Sequence, residues 1–223
     1  MKNIYIISSL ILLMFLFHSC KKGNDNKIKD GDGNVYNSVT IGTQIWLTEN
    51  LKTTSYNDGK AIPLVTDSIA WLNLSTPGYC WYSNNESYFN FGYGALYNWY
   101  VINTGKICPI GWHVPLDADW STLVTFLGGD PNAAYKLKET GSVHWTVGTM
   151  GGTNESGFVA LPAGFRDGIA QFNGVGASAF WWTATVDADG TLWDRGIGSF
   201  DTKVRQYNPS KTIGISVRCL KDN

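Results

Sequence analysis

The chain has 223 residues, of which 43% are apolar, and its charge is nearly balanced, with 17 Lys and Arg against 18 Asp and Glu. That length supports one sizeable core and is short for two, and balanced charge without a basic patch or basic helix argues against nucleic acid as a partner. Ten Trp, eleven Tyr and twenty-five Gly beside only 16% charged residues fit a loop-rich domain packed by aromatic rings and turned by glycine.

Lys2 precedes an apolar run from Ile4 to Phe17, and Ser19-Cys20 and the polar stretch Lys21 to Asn26 follow it. The run is too short to cross a bilayer as a helix and has the form of a secretory signal ending in a lipid-modified cysteine. Phe17 and His18 depart from the Leu and small residue preferred there. The expectation is a signal peptide over 1–19, lipid attachment at Cys20, a flexible tether over 20–29 and a single domain over 30–223. Acyl chains would hold that domain at the outer membrane, each buried methylene contributing about 0.8 kcal/mol.

Three cysteines remain, Cys80, Cys108 and Cys219, which in an oxidising compartment allow one disulfide and one thiol. Cys108 with Cys219 is the expected pair, tying the middle of the domain to its last strand. Cys80, between Tyr79 and Trp81, reads as a buried thiol.

In chain order, Asp30-Gly31-Asp32-Gly33-Asn34 is a turn cluster. It imitates the opening of a calcium loop, but the twelfth position, where an EF-hand carries its bidentate Glu, is Ile41, so an Asx or glycine turn is the better reading and calcium is unsupported. Val35-Tyr36, Val39 to Ile41 and Ile45 to Leu47 read as short strands. Residues 52–78 form a long excursion, Tyr79 to Tyr82 a strand, and Gly94 to Tyr100 a helix or strand that periodicity does not decide. The clearest helix is 117–127: Asp117 serves as cap, Trp120, Leu123, Val124 and Leu127 form one apolar stripe, and Gly128-Gly129 ends it. A second helix is expected from Asp130-Pro131, with Asp as cap and Pro first in the helix, to just before Gly141. Beyond it Phe158 to Leu161, Phe180 to Thr183, Thr191 to Trp193 and Ile213 to Arg218 read as strands. Helices in the middle, antiparallel strands around them and no βαβ alternation make the fold class α+β.

The strings Gly42-Thr43-Gln44-Ile45-Trp46, Glu49 to Thr53, Gly94 to Tyr100, Cys108 to Pro115, Asn154 to Phe158 and Ser216 to Cys219, in that order, together resemble the Fibrobacter succinogenes major paralogous domain of Bacteroidetes and Fibrobacteres surface proteins. The resemblance implies an arrangement distantly similar to the C-type-lectin-like and formylglycine-generating-enzyme folds, with antiparallel strands, two central helices and long loops. Val114-Pro115 and Trp120 match the helix start of those folds. Leu116 departs from the Ser or Thr usual at the cap, which passes the cap to Asp117. The resemblance implies no settled activity.

Chemistry is weighed residue by residue. An oxidase of the formylglycine-generating kind needs two cooperating cysteines, and one pair is already expected to be bridged. His113 and His144 are too few for a zinc site, and His113 reads as structural. Gly176 to Phe180 lacks the second glycine of a nucleophile elbow, and no carboxylate pair stands out for glycoside hydrolysis. What remains is binding: Phe180 to Tyr207 gathers aromatic, acidic and arginine side chains among glycine turns, the chemistry with which a surface module stacks on sugars and holds their hydroxyls. Asp189, Trp193, Asp194, Arg195, Arg205 and Tyr207 are the ligand-binding candidates, Trp181 and Trp182 reading as core. Neither a catalytic residue nor a cofactor is assigned, and the expected partners are the membrane, through the anchor, and an extracellular polysaccharide or surface protein. A structural or adhesive component without a small ligand, or a hydrolase or oxidase with an unrecognised site, are the alternatives.

Overall fold

A computed structural model describes residues 27–89, 91–146 and 151–222. Cys20 and the proposed signal lie outside the described residues. Among the described residues no helix is long and apolar enough to cross a membrane.

Strands predominate over helices, which is compatible with an α+β fold. In chain order they begin with β1 (Ile28–Lys29), β2 (Val35–Tyr36), β3 (Ser38–Ile41) and β4 (Gln44–Leu47), then α1 (Ser68–Leu72), β5 (Tyr79–Cys80), β6 (Leu96–Tyr97), α2 (Trp99–Ile102) and β7 (Trp112–His113). Next come α3 (Asp117–Phe126), α4 (Ala133–Leu137), β8 (Ala163–Arg166), β9 (Phe172–Val175), β10 (Ser178–Val186), β11 (Leu192–Gly198), β12 (Arg205–Tyr207) and β13 (Leu220–Lys221). Every named strand pair is antiparallel. One sheet has the order β3-β4-β13-β7 and another β10-β11-β12, so the end of the chain is inserted between its beginning and its middle.

Local chemistry accounts for the main elements. Asp30 Oδ1 accepts from the amides of Asp32 and Asn34, and its Oδ2 from Asn34 Nδ2 and the Tyr36 hydroxyl. The turn cluster is therefore an Asx turn, its carboxylate spent on its own backbone. Gly42 turns β3 into β4 at φ 62°, and a Cβ there would stand 2.8 Å from the Phe126 ring, so this glycine serves both the turn and the packing of α3. The undecided stretch before Tyr100 is both elements in succession: Asn98 Oδ1 accepts from Val101 N at 3.3 Å and starts α2 directly after β6. On α3, Trp120 and Leu123 are buried, with Leu127 beyond its end, as the stripe predicts.

Three local readings are corrected. Leu116, not Asp117, occupies the cap position of α3; a leucine offers no acceptor, and Asp119 Oδ2 instead accepts from the Leu116 amide at 2.8 Å, half of a capping box. The second helix begins at Ala133, because residues 129–132 form a turn in which the Asn132 amide donates to Gly129 O, and the Asp130–Pro131 peptide within it is cis. Phe158 to Leu161 is no strand: Val159 has φ 54°, and only Ala160 forms an isolated bridge, to Lys138.

Two apolar clusters lie on either side of β10. One gathers Trp182 with Leu47, Leu51, Tyr97, Trp99, Val217 and the half-cystines, the other Trp181 with Trp46, Trp120, Leu123 and Phe158. Adjacent tryptophans of one strand thus feed opposite faces, as a strand buried on both sides demands. Between the clusters runs a polar hub. Asn50 Oδ1 accepts from Trp181 Nε1 at 2.9 Å and from Arg218 Nη2 at 2.8 Å, and the fully buried Arg218 also donates to the carbonyls of Leu47 and Phe158. Three of the six sequence strings, those containing Asn50, Phe158 and Arg218, meet here. Cys108 and Cys219 are bridged, with Cα atoms 6.0 Å apart, and Cys80 is free and buried. Burial pushes the Cys80 thiol up to about 12.

Candidate binding pocket

The three-stranded sheet distributes the candidate residues between two faces. Asp194 on β11 lies between Trp182 on β10 and Tyr207 on β12, while its neighbour Arg195 lies between Trp181 and Gln206. Strand alternation therefore sends Asp194 and Tyr207 to one face and Arg195 to the other.

On the second face Arg195 is structural. Its Nε and Nη2 grip the two carboxylate oxygens of Asp117 at 2.6 and 2.7 Å, and Nη2 also donates to Ser121 Oγ at 3.0 Å. This fork fastens α3 to β11. Arg195 and Asp117 are buried or nearly so, which removes Arg195 from the ligand-binding set. Asp189 is exposed and caps its own turn, accepting from the Thr191 amide. Trp193 is half-buried and donates to Asp187 Oδ2 at 2.9 Å, away from the other candidates. Arg205 is exposed and paired with Asp201 at 2.8 Å.

The first face holds the candidate site. A cavity of about 220 Å³ is lined by Phe165, Phe180, Asp194, Tyr207, Asn208, Pro209, Ile213 and Ile215. Phe180 meets Phe165 edge to face with ring centres 5.1 Å apart, and Tyr207 at 5.6 Å. Gly196 makes this aromatic wall: a Cβ there would stand 2.6 Å from the Phe180 ring and 2.9 Å from Tyr207. Of the lining residues, Tyr207 is 39% exposed and Asp194 only 4%.

Asp194 Oδ1 is buried with no hydrogen-bond partner. An unpaired buried acceptor costs about 1 to 3 kcal/mol and needs a reason. Desolvation is the one cause raising its pKa, to about 7. The sign follows directly. Between the ordinary carboxylate range and pH 7 the native state holds a proton that the unfolded chain has lost, so Asp194 makes stability fall as pH rises through that window. A shift of about three units corresponds to an upper bound on the order of 4 kcal/mol. Asp194→Asn is accordingly expected to raise the melting temperature at pH 8 and to change it much less at pH 5; equal effects at both pH values would contradict a protonated Asp194. A destabilising acid in the lining of a cavity makes Asp194 a candidate for a functional role.

Depressions of about 690 and 730 Å³ open elsewhere, one lined by Lys27, Asp30, Trp112 and Lys221 among others, the second by Gly42, Thr122 and Phe126 among others. In the first, Asp30 is spent on its turn. Tyr56 Oη and Trp120 Nε1 are also buried without partners, but neither lines any of these cavities.

Of the sequence candidates, Asp194 and Tyr207 line this cavity; Phe165, Phe180 and Ile213, which line it with them, were not among the candidates. Phe165 lies twenty-nine positions before Asp194 on a separate hairpin, and no local spacing marks it.

The family model of the Fibrobacter succinogenes major domain matches residues 39–221. The chain belongs to that family. No curated protein and no solved structure matches it.

Proposed function

We propose that this member of the Fibrobacter succinogenes major domain family is a non-catalytic binding module that takes an extracellular polysaccharide into the Phe165–Phe180–Tyr207 pocket above Asp194. The observation that carries the reading is a buried, unpaired Asp194 carboxyl among the residues that line a cavity walled by three aromatic rings. Rings provide stacking surface for a sugar, and the acid provides its directional contact. The cavity is below the usual range for small-molecule sites, a size suited to one ring of a longer chain. Cysteine chemistry supports binding over oxidation, since two of the three domain cysteines are bridged and the third is a buried thiol. The C-type-lectin-like kinship belongs to the same reading, supported by the Val114-Pro115 entry to α3 and by a last strand fastened through Cys219.

The protein itself is read as an outer-membrane lipoprotein anchored through Cys20. Cys20→Ser is expected to shift it out of the membrane fraction, with loss of the acylated N-terminal peptide by mass spectrometry; sedimentation unchanged by the substitution would defeat the anchor.

Glycan-array binding of the detergent-solubilised full chain tests the module. Tyr207→Ala should lower affinity by tens of fold, the effect of removing an aromatic hot spot, and lower the melting temperature by a few degrees through the lost contact with Phe180. Trp193→Ala should leave binding intact, since Trp193 stands outside the pocket. Binding to no glycan on the array would turn the assignment to the adhesive alternative.

A further inference from the structure

The chemistry of the pocket narrows its ligand further, on the footing of the binding reading above. We propose that the sugar residue it takes is an amino sugar with a free ammonium group, seated at the Asp194 carboxyl against the wall that the Phe180 and Tyr207 rings form together.

Charge complementarity selects the ammonium. The cavity lining contains one carboxylic acid, three aromatic rings, three aliphatic residues and the Asn208 amide, and no cationic side chain. A buried carboxylate calls for a cation or a donor, and the two nearby guanidinium groups are committed elsewhere. Arg195 is held by Asp117 on the opposite face of the sheet, and Arg205, on the Asp194 face, is turned to Asp201. Aromatic faces add to the preference, because their quadrupoles attract cations most strongly where water is excluded. A neutral hydroxyl could hydrogen-bond to the protonated acid but would gain nothing from the rings' quadrupoles. An N-acetylated amine would bring a bulkier neutral group to the acid.

The seating step has a defined proton balance. Asp194 is largely protonated below pH 7 in the free protein, so an incoming ammonium displaces that proton to solvent and leaves a carboxylate–ammonium pair. No covalent bond is made or broken. Tyr207 is the other titratable group lining the cavity, and burial raises its pKa further from this range. Arg205 on the same strand stays charged, as does its partner Asp201, whose carboxyl, against the effect of its burial, is held low by Arg205 and the Gly198 amide.

Titration calorimetry at pH 6 on the detergent-solubilised full chain decides the question, with a fully deacetylated glucosamine hexamer and its N-acetylated counterpart as probes. The expected result is at least ten-fold tighter binding of the deacetylated hexamer, with a heat that varies with buffer ionisation enthalpy because a proton is released. Asp194→Asn should abolish both the preference and the proton release, and this variant is expected to fold at least as stably as the parent. Tyr207→Ala should weaken binding without changing the proton count. Equal binding of the two hexamers, lost in Tyr207→Ala, would overturn the amine assignment and leave the glycan reading standing. Failure of both hexamers and of the whole glycan array would remove both. Asp194-dependent binding of a lysine-rich peptide in place of either hexamer would overturn the sugar and point to a protein partner.

Discussion

Arg218→Leu is expected to lower the stability of the domain by about 3 to 5 kcal/mol, the loss typical of removing one partner from a buried charged network. Arg218 is 1% exposed. Its guanidinium serves Asn50 Oδ1 through two nitrogens, the carbonyls of Leu47, Phe158 and Val159, and the Phe158 ring 4.3 Å away. Leucine fills part of the volume and supplies no donor, so several buried acceptors lose their partner at once, each costing about 1 to 3 kcal/mol before relaxation. For a domain of this size about 2 to 4 °C of melting temperature goes with each kcal/mol, which places the expected drop at roughly 10 °C. Arg218→Lys separates geometry from charge. A lysine keeps the cation but cannot span acceptors on both sides of a planar fork, so it should recover less than half of the loss. Full recovery by lysine would show that charge alone matters at this position. Thermal melts of the three proteins at one pH and protein concentration measure the difference.

The same hub shows which parts of the structure were legible in the sequence. The stripe on α3 and the turn at Asp30 could be read locally, because a helix period and an Asx turn are each written within a few residues. The resemblance strings pointed to Asn50, Phe158 and Arg218 without saying why those residues recur together. Their contact spans 168 positions between Asn50 and Arg218, and no local pattern carries it. Arg195 misled for a similar reason. Among glycine turns and acids it looked like a ligand group, yet its partner, Asp117, is 78 positions away at the start of α3. That pairing also explains why Asp117 is not free to cap the helix, and why the cap falls to a leucine assisted by Asp119. Asp194 and Tyr207 were identified by type, but their separation from Trp193 and Arg195 follows only from which face of β11 each occupies. Both faces are covered, so the alternation of Leu192, Asp194 and Gly196 against Trp193, Arg195 and Ile197 carries no polar signature to mark the pocket side.

Removal of the Cys108–Cys219 bridge by paired alanine substitution is expected to cost about 4 to 5 kcal/mol, from the chain entropy released when a loop of this length is no longer closed in the unfolded state. The half-cystines are 111 positions apart. The entropic gain grows only slowly with loop length, so the native side of the bridge matters as much. Cys219 precedes β13, a strand of two residues that pairs with Trp46 on one side and with Trp112 and His113 on the other. So short a strand has few ladder hydrogen bonds with which to hold its place, though the Leu47 amide donates to Cys219 O at 3.0 Å beside it. The bridge fixes the same segment covalently to the residue just upstream of β7, and Arg218, one position before Cys219, is positioned for its hub by the same restraint. The two stabilising devices should therefore be coupled: Arg218→Leu in the bridge-free background is expected to deviate from additivity by more than the few tenths of a kcal/mol seen for distant sites. Peptide mapping without reductant should recover Cys108 joined to Cys219, with Cys80 alkylated only after unfolding, as its burial and raised pKa require. A bridge-free double variant melting within about 2 °C of the parent would mean that the polar hub alone seats the last strand, and strict additivity with Arg218→Leu would show that the two devices act independently.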